Sequence, residues 1–200
     1  MKKINKVFLI IAGICGLLGA ALVLIGVLMG AKDGFGINTR GQLVNYADAK
    51  HYNLQKTKLE ENITDIDANI TYGNVYIETA DDYYIEYNCV GNEIVNGPTY
   101  EVVDGKLTFN EPQYDVNDDK VFLNFNFDLF NNSDIENNYV KIYVPAQTVI
   151  NGITIKDNCG DIFFDGLQCE SVDITNDYGD IELNNMNATN LNLKSSCGNV

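Results

Sequence analysis

The stretches NCGDIFFDGL (Asn158–Leu167), DYGDIELNNM (Asp177–Met186) and SCGNV (Ser196–Val200) share one frame. Placing Gly160, Gly179 and Gly198 in register also aligns Ile153, Val172 and Leu191. Ile155, Ile174 and Leu193 coincide, as do Ile162, Ile181 and Val200. Phe164 matches Leu183, and Leu167 matches Met186. The positions between are polar: Thr154, Asp173 and Asn192, then Lys156, Thr175 and Lys194. Apolar columns that stay apolar on a fixed step mark an internal repeat of about 19 residues.

A unit that short cannot bury its own apolar face, but stacked copies share a continuous core. The expected fold is all-β, a β-solenoid or open β-helix whose turns rise about 4.8 Å each. The recurring glycine then has a backbone cause, a corner where φ is positive or a Cβ would clash. The Asp or Asn after it is a turn residue. ITYGNVYIE around Gly73 reads as an earlier copy, with the intervening hairpins as an insertion or a divergent half. The sequence stops at Val200 inside a repeat, so a missing capping turn, and hence a fragment or truncation, is expected.

Working toward the N-terminus, the strand period of two continues. Val75 and Ile77 alternate, and Tyr83, Ile85, Tyr87 and Cys89 share a face. Asp104-Gly105 lies between two apolar runs, a hairpin signal because both residues tolerate positive φ. Val121, Leu123, Phe125, Phe127 and Leu129 fall on one face, followed by a loop in NNSDIENN. Val140, Ile142 and Val144 point inward before Pro145. Residues 32–62 show no sustained period and are expected to be a juxtamembrane stalk that carries His51 as an exposed residue.

Residues 7–31, VFLIIAGICGLLGAALVLIGVLMGA, carry no charge. A bilayer core needs about 20 apolar helical residues, so this stretch is expected to span a membrane. Lys2, Lys3 and Lys6 precede it, which places residues 1–6 in the cytoplasm and residues 63–200 outside. A cleaved signal peptide would have an apolar core of only about 7–15 residues. From Lys32 onward, ten Lys or Arg face 28 Asp or Glu. That field repels nucleic acid and favours cations or basic partners.

ENITDIDANITYGNVYIE, YYIEYN, DGKLTF, VKIYVP and the Gly-Asp-Ile rungs together resemble the bacterial putative-adhesin β-strand-repeat family, the toastrack domains. The resemblance covers residues 63–200. It implies an extracytoplasmic module behind a single membrane helix, similar in architecture to envelope-stress accessory proteins. The role so implied is sensing or scaffolding in the envelope through a protein partner or a wall polymer. The alternative is a surface adhesin for a glycan or host ligand. The family brings no catalytic residues and no cofactor.

The residues offer little chemistry beyond this. Asp161, Asp180 and Asn199 form a column, flanked by Asp157, Asn176 and Asp177, that could hold Ca²⁺ through oxygen ligands. A solvated corner explains the same column. No nucleophile–His–acid set exists, so catalysis is not expected. Cys159 and Cys197 lie two turns apart, about 9–10 Å, beyond the roughly 7 Å a disulfide spans. Cys89, Cys159, Cys169 and Cys197 are expected as small buried residues, with a bridge involving Cys89 left open. Tyr72, Tyr76, Tyr83, Tyr84 and Tyr178 could stack on a glycan or partner, or serve only as strand and core residues.

Overall fold

The structure, a computed structural model, describes residues 3–28, 35–38, 43–45, 49–91, 94–114, 121–125 and 138–200. Side chains are described for 11–25, 49–91, 94–114 and 138–200. The chain forms two units. The first holds residues 1–49 and 116–133, the second residues 50–115 and 134–200.

The first unit contains helix α1 (Lys3–Leu28). It also contains strands β1 (Phe35–Asn38), β2 (Leu43–Asn45) and β11 (Val121–Phe125), in the antiparallel order β11-β1-β2. Helix side chains are described only from Ile11 to Ile25, and all are exposed. Among the described residues no helix is long and apolar enough to cross a membrane. Phe127, Leu129 and most of the NNSDIENN loop lie outside the described residues.

The second unit is built from rungs. Each begins as a long strand, turns at a glycine, and continues as a short one. The first is β4 (Asp65–Tyr72), Gly73 and β5 (Asn74–Ala80). The second is β13 (Val149–Cys159) with β14 (Ile162–Asp165), and the third is β15 (Gln168–Tyr178) with β16 (Ile181–Asn184). Strand β17 (Asn187–Cys197) follows. Pairing is parallel and in register along Ile66, Ile153, Val172 and Leu191, and along Val75, Ile162 and Ile181. The copy expected at Gly73 is therefore the neighbour of the Gly160 rung in space.

The glycine at each corner has a packing cause. A Cβ on Gly160 would lie 2.0 Å from the Gly73 carbonyl oxygen, and one on Gly179 would lie 2.0 Å from that of Gly160. Gly198 repeats the contact at 1.9 Å from Gly179. The backbones stack this closely because each glycine donates its N–H to the next rung, as Gly160 does to Tyr178 at 3.0 Å.

The remaining strands are β3 (Lys50–Lys58), β6 (Tyr84–Gly91), β7 (Ile94–Asn96), β8 (Thr99–Val103), β9 (Lys106–Asn110), β10 (Gln113–Tyr114) and β12 (Tyr139–Pro145). Of these, β12, β6 and β3 extend one layer and β9 and β8 the other, on the side away from the later rungs. One six-stranded sheet runs β16-β14-β5-β12-β6-β3, the other β17-β15-β13-β4-β9-β8, and β7 pairs with β10. The β8–β9 hairpin turns at Asp104 (φ 50°) and Gly105 (φ 79°), as the sequence requires.

The two sheets enclose one core. Val75, Ile77, Ile85, Val140, Ile142, Ile162 and Phe164 face Ile66, Leu107, Phe109, Ile153, Ile155 and Ile174, all buried. Fully burying such a side chain contributes roughly 1.5–3 kcal/mol. The apolar columns lose cover at the last rung, where Leu191 is 51% and Val200 70% exposed. Among the described residues nothing pairs with the outer edge of β17.

Part of the expected stalk belongs to the fold. Lys50–Lys58 is β3, antiparallel to β6 at the edge of its sheet. A bulge between Leu54 and Thr57 breaks the alternation, which hides the strand in sequence. His51 is exposed there, paired through its backbone opposite Val90.

Candidate binding face

Strands β14, β5, β12 and β6 are consecutive neighbours in one sheet, and their outward positions carry rings. Register sets Phe163 beside Tyr76, Tyr76 beside Lys141, and Lys141 beside Glu86. One row over, Tyr143 lies between Glu78 and Tyr84. Phe163 and Tyr76 stack with centroids 5.0 Å apart at 9°, and Tyr139 meets Tyr76 edge-on at 6.5 Å. Tyr84 and Tyr143 form a second edge-on pair at 6.3 Å.

Charged groups tie these rings together. The Lys141 ammonium lies 5.2 Å from the Tyr76 ring centre and 5.1 Å from that of Tyr139. Lys56, in the β3 bulge, lies 4.6 Å from Tyr84 and 4.1 Å from Tyr143. Glu86 accepts one hydroxyl on each oxygen, Tyr139 at 2.8 Å and Tyr143 at 3.2 Å. Burial and the nearby Glu86 and Glu78 push the Tyr143 phenol up to about 12, so it stays a donor. Tyr84 is also raised, chiefly by its hydrogen bond to Asp81.

The other sheet presents a different face. Its outward rows read Asn192, Asp173, Thr154, Asp67, Thr108 and Glu101, then Lys194, Thr175, Lys156, Asn69, Asn110 and Thr99. Neither row contains a ring. If β propensity alone placed the aromatics, both faces would carry them.

Of the five tyrosines singled out from sequence, Tyr76 and Tyr84 lie on the aromatic face. Tyr83 is core, 7% exposed. Tyr72 and Tyr178 sit in the strand-end column with Cys159 and Cys197, 51% and 60% exposed. The cysteines correct the expectation of four buried thiols: Cys89 and Cys169 are buried, Cys159 is half-buried, and Cys197 is exposed. The strand-end column points outward beside the glycines, which explains the difference. All five cysteines are free, and burial pushes the Cys89 thiol up to about 12.

The acidic column is a ladder. Asp161 Oδ1 accepts the Asp180 N–H at 2.8 Å, and Asp180 Oδ1 accepts the Asn199 N–H at 2.7 Å. Asn74 begins the series by accepting the Asp161 N–H at 2.9 Å. These bonds to Asn199 hold the Asp180 carboxyl below its ordinary range. Each carboxylate thus meets a donor from the next rung. Among the described residues no group of three His, Cys, Asp or Glu could hold a metal ion.

Two buried polar features escaped the sequence. Asp157 and Asn176 face inward on adjacent rungs, 2% and 0% exposed. Asp157 Oδ1 accepts the Cys159 N–H at 3.1 Å, while Asp157 Oδ2 and Asn176 Oδ1 have no partner. Burial pushes the Asp157 carboxyl up to about 7. Glu111 accepts the N–H groups of Thr71 at 2.5 Å and Tyr72 at 2.9 Å, and the Tyr114 hydroxyl at 3.0 Å. Burial raises Glu111 although these donors oppose it.

Residues 63–200 match the family described as Toastrack DUF4097. A comparison with curated proteins finds no match. Among solved structures, a putative cell adhesion protein from Clostridium sporogenes is 15% identical with a TM-score of 0.45, over 68% of this chain and 60% of that one. A putative adhesin from Bacteroides fragilis is 17% identical with a TM-score of 0.35, over 66% and 60%. A putative adhesin from Parabacteroides distasonis is 15% identical with a TM-score of 0.27, over 74% and 76%. The chain thus spans 60% of the length of the first two.

Proposed function

The chain belongs to the Toastrack DUF4097 family, an identity that gives a fold and no activity, and from its aromatic face we propose a membrane-anchored, extracytoplasmic, non-catalytic binding module. It senses or scaffolds the envelope by holding a partner protein or a wall polymer on that face. The observation that carries this reading is the segregation of rings onto one sheet face, with Lys56 and Lys141 seated over them. An adhesin whose ligand sits on another surface would use the same face. The anchor rests on the sequence alone, on the uncharged run at residues 7–31, which exceeds the roughly 20 apolar residues a bilayer core needs.

Two measurements test this. Protease added to intact cells digests the chain from Lys32 onward; full protection contradicts the topology. The detergent-solubilised full chain co-sediments with isolated envelope material, and a Tyr76→Ser, Phe163→Ser double variant that still melts cooperatively does not. Equal co-sedimentation of both contradicts the assigned face.

A further inference from the structure

We propose that the aromatic face binds a neutral, extended glycan chain. The inference rests on the binding reading above and names the ligand chemistry of the same face.

A pyranose presents apolar C–H surface rimmed by hydroxyls. It needs ring surface together with fixed hydrogen-bonding groups of both kinds. Phe163, Tyr76, Tyr139 and Tyr143 provide half-exposed ring surface on three adjacent strands. Tyr84 on a fourth strand completes a footprint about 14 Å across at roughly 4.8 Å per strand. Tyrosine suits such a surface because it has an apolar body, a polar tip and few torsions to freeze.

The polar groups are already held in place. Both Glu86 oxygens are oriented by tyrosine hydroxyls, and each lysine is seated over two rings. Neither Lys56 nor Lys141 forms an ion pair among the described residues. Their ammonium donors are therefore available to ligand oxygens, with little ordering left to occur on binding.

Charge decides between neutral and anionic chains. The formal net charge is −15, and Glu78, Glu86 and Asp165 lie within or beside the face. That field repels a polyanion at low salt. A neutral hydroxyl-rich chain is indifferent to it and uses the lysines as hydrogen-bond donors.

The test is titration calorimetry of the full chain in detergent micelles. The probes are soluble cellulose and chitin oligosaccharides, with polygalacturonate as the anionic chain. Saturable binding of at least one neutral oligosaccharide is expected, unchanged between low and high salt. Phe163→Ala should weaken it about tenfold or more. Tyr139→Phe removes only a hydroxyl, so it keeps the fold while weakening binding. Thr154→Ala, on the opposite face, should leave it intact. No binding of any oligosaccharide, or salt-sensitive binding of polygalacturonate alone, overturns the inference. Co-sedimentation with envelope protein, lost in the face variants but without oligosaccharide binding, also overturns it while leaving the binding module standing.

Discussion

Asp157→Asn is predicted to stabilise the protein at pH 8 and to leave it unchanged at pH 4. Asp157 and Asn176 sit opposite each other on parallel strands, about 4.8 Å apart. Each has a buried oxygen without a donor. We predict that a proton on Asp157 Oδ2 serves as the donor that Asn176 Oδ1 lacks. The carboxyl titrates at about 7 in the fold, against about 3.9 in an unfolded chain. The folded value is raised, so the folded state keeps a proton that the unfolded state has released. Its stabilising contribution is full below about pH 4 and is lost as pH rises to about 7. Three units at about 1.36 kcal/mol each give about 4 kcal/mol as the upper bound. Asparagine keeps a donor at every pH and still accepts the Cys159 N–H. Chemical denaturation of the full chain in micelles, wild type against variant from pH 4 to 8, isolates this group from the other carboxylates. A variant equally or less stable than wild type at pH 8 refutes the shared proton.

Three further outcomes follow from other parts of the fold. Gly179→Ala places a Cβ 2.0 Å from the Gly160 carbonyl at φ +136°, and should cost about 3 kcal/mol or more; a melting point within a degree of wild type contradicts the stacked-corner account. Glu111→Ala leaves the Thr71 and Tyr72 N–H groups without their acceptor and should cost about 2–4 kcal/mol, measured by the same denaturation. Alkylation of the native protein should label Cys197 rapidly, and Cys89 and Cys169 only after unfolding; early labelling of Cys89 contradicts its burial and raised pKa.

The rung architecture was legible because its causes are local and repeated. One glycine per 19 residues answers to one backbone contact, and every inward apolar column answers to one core. The hairpin at Asp104-Gly105 was legible because φ there restricts the residue type. The neighbours of the inserted strands were not legible. Strand β12 is parallel to β5 and antiparallel to β6, and nothing within seven residues specifies both partners. The aromatic face was hidden for the same reason. Tyr76 and Phe163 lie far apart in sequence, and only the parallel pairing of β5 with β14 makes them a stack. The inward set Val140, Ile142 and Val144 leaves Tyr139 and Tyr143 outward, and Ile162 and Phe164 leave Phe163 outward, but alternation does not bring the three together. Asp157 and Asn176 were read with the solvated corner because polar residues beside a turn usually face water.

The most direct test of the binding face is photocrosslinking in living cells that express the full chain. A photoreactive phenylalanine analogue is placed at Phe163 in one strain and at Asp173, on the polar face, in another. The account predicts adducts from position 163 and none from position 173. Adducts from position 173 alone, or equal yields from both, would contradict it.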